Sequence, residues 1–184
     1  MLSTHIEKLS RLNESSYTAH EIVRVRYSKD TNRLTVQMML IVDGCQVLLV
    51  QSAKDRTGQT WGMPQGGVTS RDQCLMSATA RECGEELGLM KTCLSYERAR
   101  VLGEWINPLP RERGGGAKHI VVLAVPANIH DVRLNEENSG FQLVDSLSKL
   151  RACMKAAREL KRVMTVAACH AARQEGMLVE HFFA

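Results

Sequence analysis

Two β-rich stretches, Leu34 to Val42 and Gln46 to Gln51, flank Asp43-Gly44, a dipeptide that favours a tight hairpin turn. They predict a pair of adjacent strands. Arg98–Ile106 and His119–Val125 predict two more, the second a dense aliphatic run of the kind found in a sheet covered on both faces. Phe141–Val144 predicts a last short strand. Helical spacing replaces the strand pattern in three places. Leu2–Leu12 reads as a short amphipathic helix. Around Arg81–Leu87 a second helix carries Leu75, Ala78, Cys83 and Leu87 on or near one apolar face, with Gly88 as a left-handed stop. Ser70-Arg71-Asp72-Gln73 has the pattern of a capping box and predicts the start of that helix. From Leu147 through Leu150, Met154, Ala157, Leu160, Met164, Ala167 and Ala171, helical spacing persists to about residue 173. The chain therefore predicts one α/β domain over residues 1–184, with a core at about 34–145 and a C-terminal helical extension.

Charge sharpens the middle helix. Glu82, Glu85 and Glu86 stand at i, i+3 and i+4, so three carboxylates share one helical face. Such a face is either solvated or closed by a cation. Mg²⁺ reverses the repulsion, because it takes oxygen ligands from a few carboxylates and completes its shell with water and substrate phosphates. Just upstream, Gly66 and Gly67 allow a tight loop whose backbone can approach a ligand closely. Gly66 is accordingly a candidate member of the metal site, and Gln65, Gly66 and Gly67 are candidates for substrate contact.

The run Gly67…Gln73…Arg81-Glu82-Cys83-Gly84-Glu85-Glu86-Leu87-Gly88-Leu89 resembles the signature of the Nudix hydrolases, G-x5-E-x7-R-E-U-x-E-E-x-G-U with U aliphatic. Eight of its nine defined positions agree when Cys83 is taken as U, and the ninth carries Gln73 in place of Glu. The resemblance implies an α/β/α sandwich around a mixed sheet and a pyrophosphohydrolase that uses Mg²⁺ or Mn²⁺. It also implies that Glu82, Glu85 and Glu86 hold the metal while Arg81 orients them. In the family the Glu at the Gln73 position pairs with the motif Arg, so its replacement predicts a lost ion pair, a cost of about 10–100-fold in metal affinity or activity, and a gain on Gln73→Glu. Trp61-Gly-Met-Pro64-Gln65-Gly66-Gly67 is similar to the approach to this box in RNA 5′-pyrophosphohydrolases and diadenosine polyphosphate hydrolases. Gly62-Met63 stands where a bulkier pair is usual, and a polar stretch from Ala53 to Thr60 precedes it.

Other residues fall into place around that reading. Asn107–Lys118 is a Gly-rich connection bearing Arg111, Arg113 and Lys118, either a solvated loop or a phosphate-binding one. Glu137 precedes the last strand, where similar enzymes place another carboxylate near the metal, and it is a candidate general base. His119 opens a buried strand and reads as structural. Arg151, Lys155, Arg158 and Arg162 predict a basic stripe on the C-terminal helix, but a formal charge of +4 over 184 residues gives no strong nucleic-acid footprint.

A content of 44% hydrophobic and 24% charged residues suits a single buried core. No apolar run approaches the roughly 18 residues a membrane span requires, and Met1–Asn13 is too charged for a secretory signal. Six scattered cysteines without a C-x-x-C pair predict reduced thiols and a cytoplasmic compartment. The expected partner is a nucleotide or an RNA 5′ end, with no membrane and with oligomeric state open. Two alternatives stay beside this reading: a hydrolase of free nucleotides or nucleotide sugars such as ADP-ribose, and a weakly active binding module of the same fold.

Overall fold

Side chains alternate along Arg33–Val42 (β1), and both sets are buried. Val36, Met38 and Leu40 pack with Leu75, Ala78, Cys83 and Leu87, whereas Met39 and Ile41 pack with Leu150, Met164 and Cys169. A sheet buried on both faces needs a layer over each, and helices supply both. The structure is a computed structural model describing residues 33–53, 60–69, 71–72, 74–108, 117–129 and 132–184. The predicted helix Leu2–Leu12, Ser70, Gln73, Arg111 and Arg113 lie outside these residues, and the side chains of Lys118 and His119 are likewise not described.

The remaining strands are Gln46–Ser52 (β2), Trp61–Gly62 (β3), Gln65–Gly67 (β4), Arg100–Pro108 (β5), Ala117–Ala127 (β6) and Asn138–Val144 (β7). They order as β3-β2-β1-β6-β5, with β4 also on β1 and β7 on β2. The pairing of β1 with β6 is parallel and every other pairing is antiparallel, which makes the sheet mixed. Asp43 and Gly44 turn β1 into β2 with φ of 51° and 68°, the left-handed pair that a tight hairpin of this type requires. The strand predicted from Arg98 begins two residues later because Tyr96–Arg98 forms a single 3-10 turn.

Between β4 and β5 lies the acidic helix, α1, Leu75–Leu87. It does not start at Ser70. Asp72 is bound into a turn instead, its carboxylate accepting from the Thr69 N–H at 2.8 Å and from the Thr69 hydroxyl at 3.0 Å. Cys74 then takes the extended cap position, and its N–H donates to Ser77 Oγ at 3.0 Å. The other end follows expectation: Gly88, with φ of 65°, stops the helix and its N–H donates to the Gly84 carbonyl at 3.1 Å.

The C-terminal helical run is broken into Leu147–Cys153 (α2) and Glu159–Gln174 (α3). Met154 and Ala157 remain buried within the break, so the apolar spacing continues across a turn that is not helical. The basic stripe is broken with it. Arg151 belongs to α2, Arg158 caps α3, and Arg162 donates to the Lys155 carbonyl at 3.0 Å. Beyond α3, fully buried Phe182 closes the same face of the sheet. All six cysteines are free thiols. Among the described residues, no helix is long and apolar enough to cross a membrane.

Candidate active site

The site is built where α1 crosses β4. Gly66 is opposite Val36 in the sheet, on the side that faces α1. A Cβ added to Gly66 would lie 1.7 Å from Glu82 Cδ, so the helix approaches the strand this closely only because residue 66 has no side chain. Glu82 thereby fills the space a side chain would take. Glu82 and Glu86 are 9% and 8% exposed, whereas the Glu85 side chain is 58% exposed. The three carboxylates share a helical face, as their spacing predicts, but two of them are not on the surface.

Arg81 binds this face together. Its Nη1 donates to Glu82 Oε1 at 2.8 Å and to Glu85 Oε2 at 3.1 Å, and its Nη2 donates to the Gly67 carbonyl at 2.7 Å. The remaining contacts go to Asp72: Nε to Oδ1 at 3.1 Å and Nη2 to Oδ2 at 2.9 Å, a two-point fork. The Asp72 side chain is 4% exposed, and the Arg81 guanidinium holds its carboxyl below the usual carboxylate range. Gln73 lies outside the described residues, but Asp72, one residue earlier, supplies an anion to Arg81. In the sequence Asp72 stands only as an inner residue of the capping-box pattern that begins at Ser70. Its place immediately before the motif position was the available signal.

Electrostatics explain why the buried face is receptive. Burial is the main force raising the Glu82 carboxyl, which Arg81 opposes. Glu86 is pushed up to about 7, first by burial and then by the charges of Glu82 and Glu137; the Asn138 amide and the Gln65 N–H pull the other way. A bound cation would relieve both the repulsion and the lost hydration. Exposed Glu137, just before β7, thus lies close enough to act on Glu86. On the far side, half-buried Lys161 of α3 feels the Glu86 charge, while burial and Arg158 lower its own pKa. Its Nζ is 3.8 Å from where a Cβ on Gly62 would stand. The cation of α3 that reaches the site is Lys161, not a member of the predicted stripe, and the signal for it was the glycine at position 62.

The donor set fits a hard divalent ion: oxygen ligands on carboxylates that are costly to keep charged and unpaired. Among the described residues, no three acidic, His or Cys side chains are gathered as a metal cluster. Arg81 bridges Glu82 and Glu85, with Glu85 turned outward to it. Gln65 and Gly66 lie at the site, and Gly67 contributes its carbonyl to Arg81. Arg111, Arg113 and Lys118 are not placed in it by the described side chains.

The mixed sheet between helical layers, with the acidic helix set against a glycine strand, defines an α/β/α sandwich that carries a carboxylate site at the β4 edge. A model of the NUDIX domain matches residues 31–163, and the chain belongs to the Nudix family. It is a pyrophosphohydrolase of nucleoside diphosphate derivatives, in a family that generally uses divalent metals such as Mg²⁺. Solved structures share the fold at low identity. The Caenorhabditis elegans Ap4A hydrolase binary complex superposes with a TM-score of 0.56 at 16% identity, covering 78% of this chain and 98% of that one. The MutT protein of Methanosarcina mazei Go1 gives 0.57 at 20% identity, covering 80% and 97%. The NUDIX domain of Shewanella oneidensis NrtR, complexed with ADP ribose, gives 0.57 at 18%, covering 81% and 93%. No curated protein sequence matches the chain.

Proposed function

We propose that this chain hydrolyses a phosphoanhydride in a nucleotide-capped substrate, a dinucleoside polyphosphate or a 5′-triphosphorylated RNA end, with Glu82, Glu85 and Glu86 as the metal ligands. The observation that carries the reading is the pair of buried carboxylates, Glu82 and Glu86, pressed against β4 and held beside Arg81. When bound, Mg²⁺ supplies charge neutralisation at the phosphate oxygens and acidifies a water.

The chain's own residues do the rest. Arg81, anchored by Asp72, fixes Glu82 and Glu85 in register with the Gly66–Gly67 backbone. Glu137, exposed at the rim beside Glu86, takes the proton of the attacking water as general base. Lys161, across from Glu86, faces the negative charge that develops on the phosphates. Gln65 holds Glu86 through its backbone N–H and leaves its side chain at the half-exposed edge, open to substrate. The preference for a capped or dinucleoside substrate is supported by the Trp61-Gly-Met-Pro64-Gln65-Gly66-Gly67 run and by the fold shared with an Ap4A hydrolase.

A Mg²⁺-dependent panel of 5′-triphosphate RNA, diadenosine polyphosphates, dNTPs and ADP-ribose tests this. Selective turnover of the first two is expected. Turnover of dNTPs or ADP-ribose alone would overturn the substrate assignment, and a flat response to all four would leave a binding module of the Nudix fold.

A further inference from the structure

Two polar residues, Thr35 and Gln37, lie buried among the aliphatic residues of β1. Gln37 is 1% exposed, and neither its Oε1 nor its Nε2 has a hydrogen-bond partner among the described residues. An amide buried in that state loses its hydration without replacement, a condition native folds rarely keep without a use for it. A methionine of similar length would pack there without that loss.

Alternation along β1 fixes the direction of the side chain. Val36 and Met38 face α1, Met39 and Ile41 face α3, and Gln37 shares the second side with Thr35. Register fixes its neighbours: Gln37 is opposite Gln65 on β4 and Val122 on β6, and Val122 is opposite Gly103 on β5. The row thus runs from half-exposed Gln65 on β4, through buried Gln37 and Val122, to Gly103 on the edge strand β5. Gln65, at its first position, donates its N–H to Glu86. Gln37 is therefore one strand removed from the carboxylate face, on the side of the sheet that α3 covers and that Lys161 borders at Gly62.

We infer that the Gln37 amide is a specificity-determining group that reads the nucleobase of the substrate, an inference that rests on the nucleotide reading above. A primary amide presents an acceptor and a donor side by side in one plane. The matching ligand edge carries an adjacent donor and acceptor, and adenine offers that pair at N6 and N7. A bound base would give Oε1 and Nε2 the partners the fold withholds. The arrangement also explains a position that favours binding over stability.

The test is Gln37→Met in the full chain, assayed for thermal stability and for kcat/KM on a matched pair, diadenosine and diinosine tetraphosphate. Hypoxanthine replaces the N6 donor by an acceptor, so the wild-type chain should prefer the adenine substrate by roughly tenfold. In the variant that preference should collapse, mainly through KM, while Tm rises by about 2–4 °C on removal of the unpartnered amide. An unchanged adenine-to-hypoxanthine ratio would overturn the inference, as would a lowered Tm, which would mean that the fold itself satisfies the amide. Wild-type turnover of neither compound would be a different result, overturning the dinucleoside polyphosphate assignment and this inference with it.

Discussion

Arg81 makes five hydrogen bonds to four residues, and only one of those residues, Asp72, has no other task at the site. Removing the Asp72 charge should leave the guanidinium's whole charge on Glu82 and Glu85, to which it already donates, and so strengthen its competition with a cation there. Asp72→Asn is expected to lower activity by about 10–100-fold and to raise the Mg²⁺ requirement, with added Mg²⁺ recovering part of the loss. Initial rates across a Mg²⁺ series check this, and an unaltered Mg²⁺ dependence would show Asp72 to be a turn residue only. Gln73→Glu alone should change rates by no more than about twofold, because Arg81 already has its anions.

Glu86 gives a second prediction at this scale. Its folded-state pKa of about 7 lies above the ordinary glutamate value of 4.5. Between those values the native chain binds a proton that the unfolded chain has released, so stability must fall as pH rises through this window. The metal-free protein should therefore lose Tm from about pH 5 to pH 8, and Glu86→Gln should flatten that slope. A metal-free Tm that rises with pH in the wild type but not in the variant would contradict the burial argument.

At the scale of the element, α1 matters through how closely it meets β4. Gly66→Ala would drive Glu82 out of its place, since the new Cβ would fall on the carboxylate. The expected outcome is a folded protein with little Mg²⁺-dependent turnover; wild-type rates would mean that Glu82 need not sit there. Gly88→Ala should act on stability instead. With φ of 65° and a Cβ that would lie 2.9 Å from Arg133 Cβ, it should cost about 1–2 kcal/mol in denaturant unfolding from the backbone conformation alone.

The same element shows what a sequence discloses. Its apolar face and glycine stop were legible because periodicity and the left-handed preference of glycine are local properties. Its start was not. Asp72 suits a cap by type, and only the fold decides that Arg81, nine residues on, claims it. The C-terminal helix misled for a related reason, since Met154 and Ala157 are buried in a break that keeps helical spacing while the hydrogen bonds shorten from i→i−4 at Met154 to single i→i−3 turns at Lys155 and Ala157. The carboxylate triple was readable from its spacing, whereas the burial of Glu82 and Glu86 depends on β4, a strand of three residues, Gln65–Gly67.

Across the whole molecule, the sheet divides two kinds of work. On one side α1 packs through Cys83 and Leu87 and carries the carboxylates to the edge at β4. On the other, α3 and the C-terminal Phe182 close a core into which Gln37 and, at its border, Lys161 are set. The carboxylates and the groups proposed to face substrate thus come from opposite layers and meet only around Gln65 and Glu86. Long-range register between β1, β4 and β6 creates that meeting, and for this reason neither Gln37 nor Lys161 stood out in the sequence. The central claim is that the acidic face of α1 is a metal site and not a solvated surface. The measurement that tests it most directly is Mg²⁺-dependent hydrolysis by Glu85→Gln and Glu86→Gln at limiting Mg²⁺, with circular dichroism confirming the fold of each. Near-complete loss of turnover in both folded variants is predicted; wild-type turnover in either would contradict the claim.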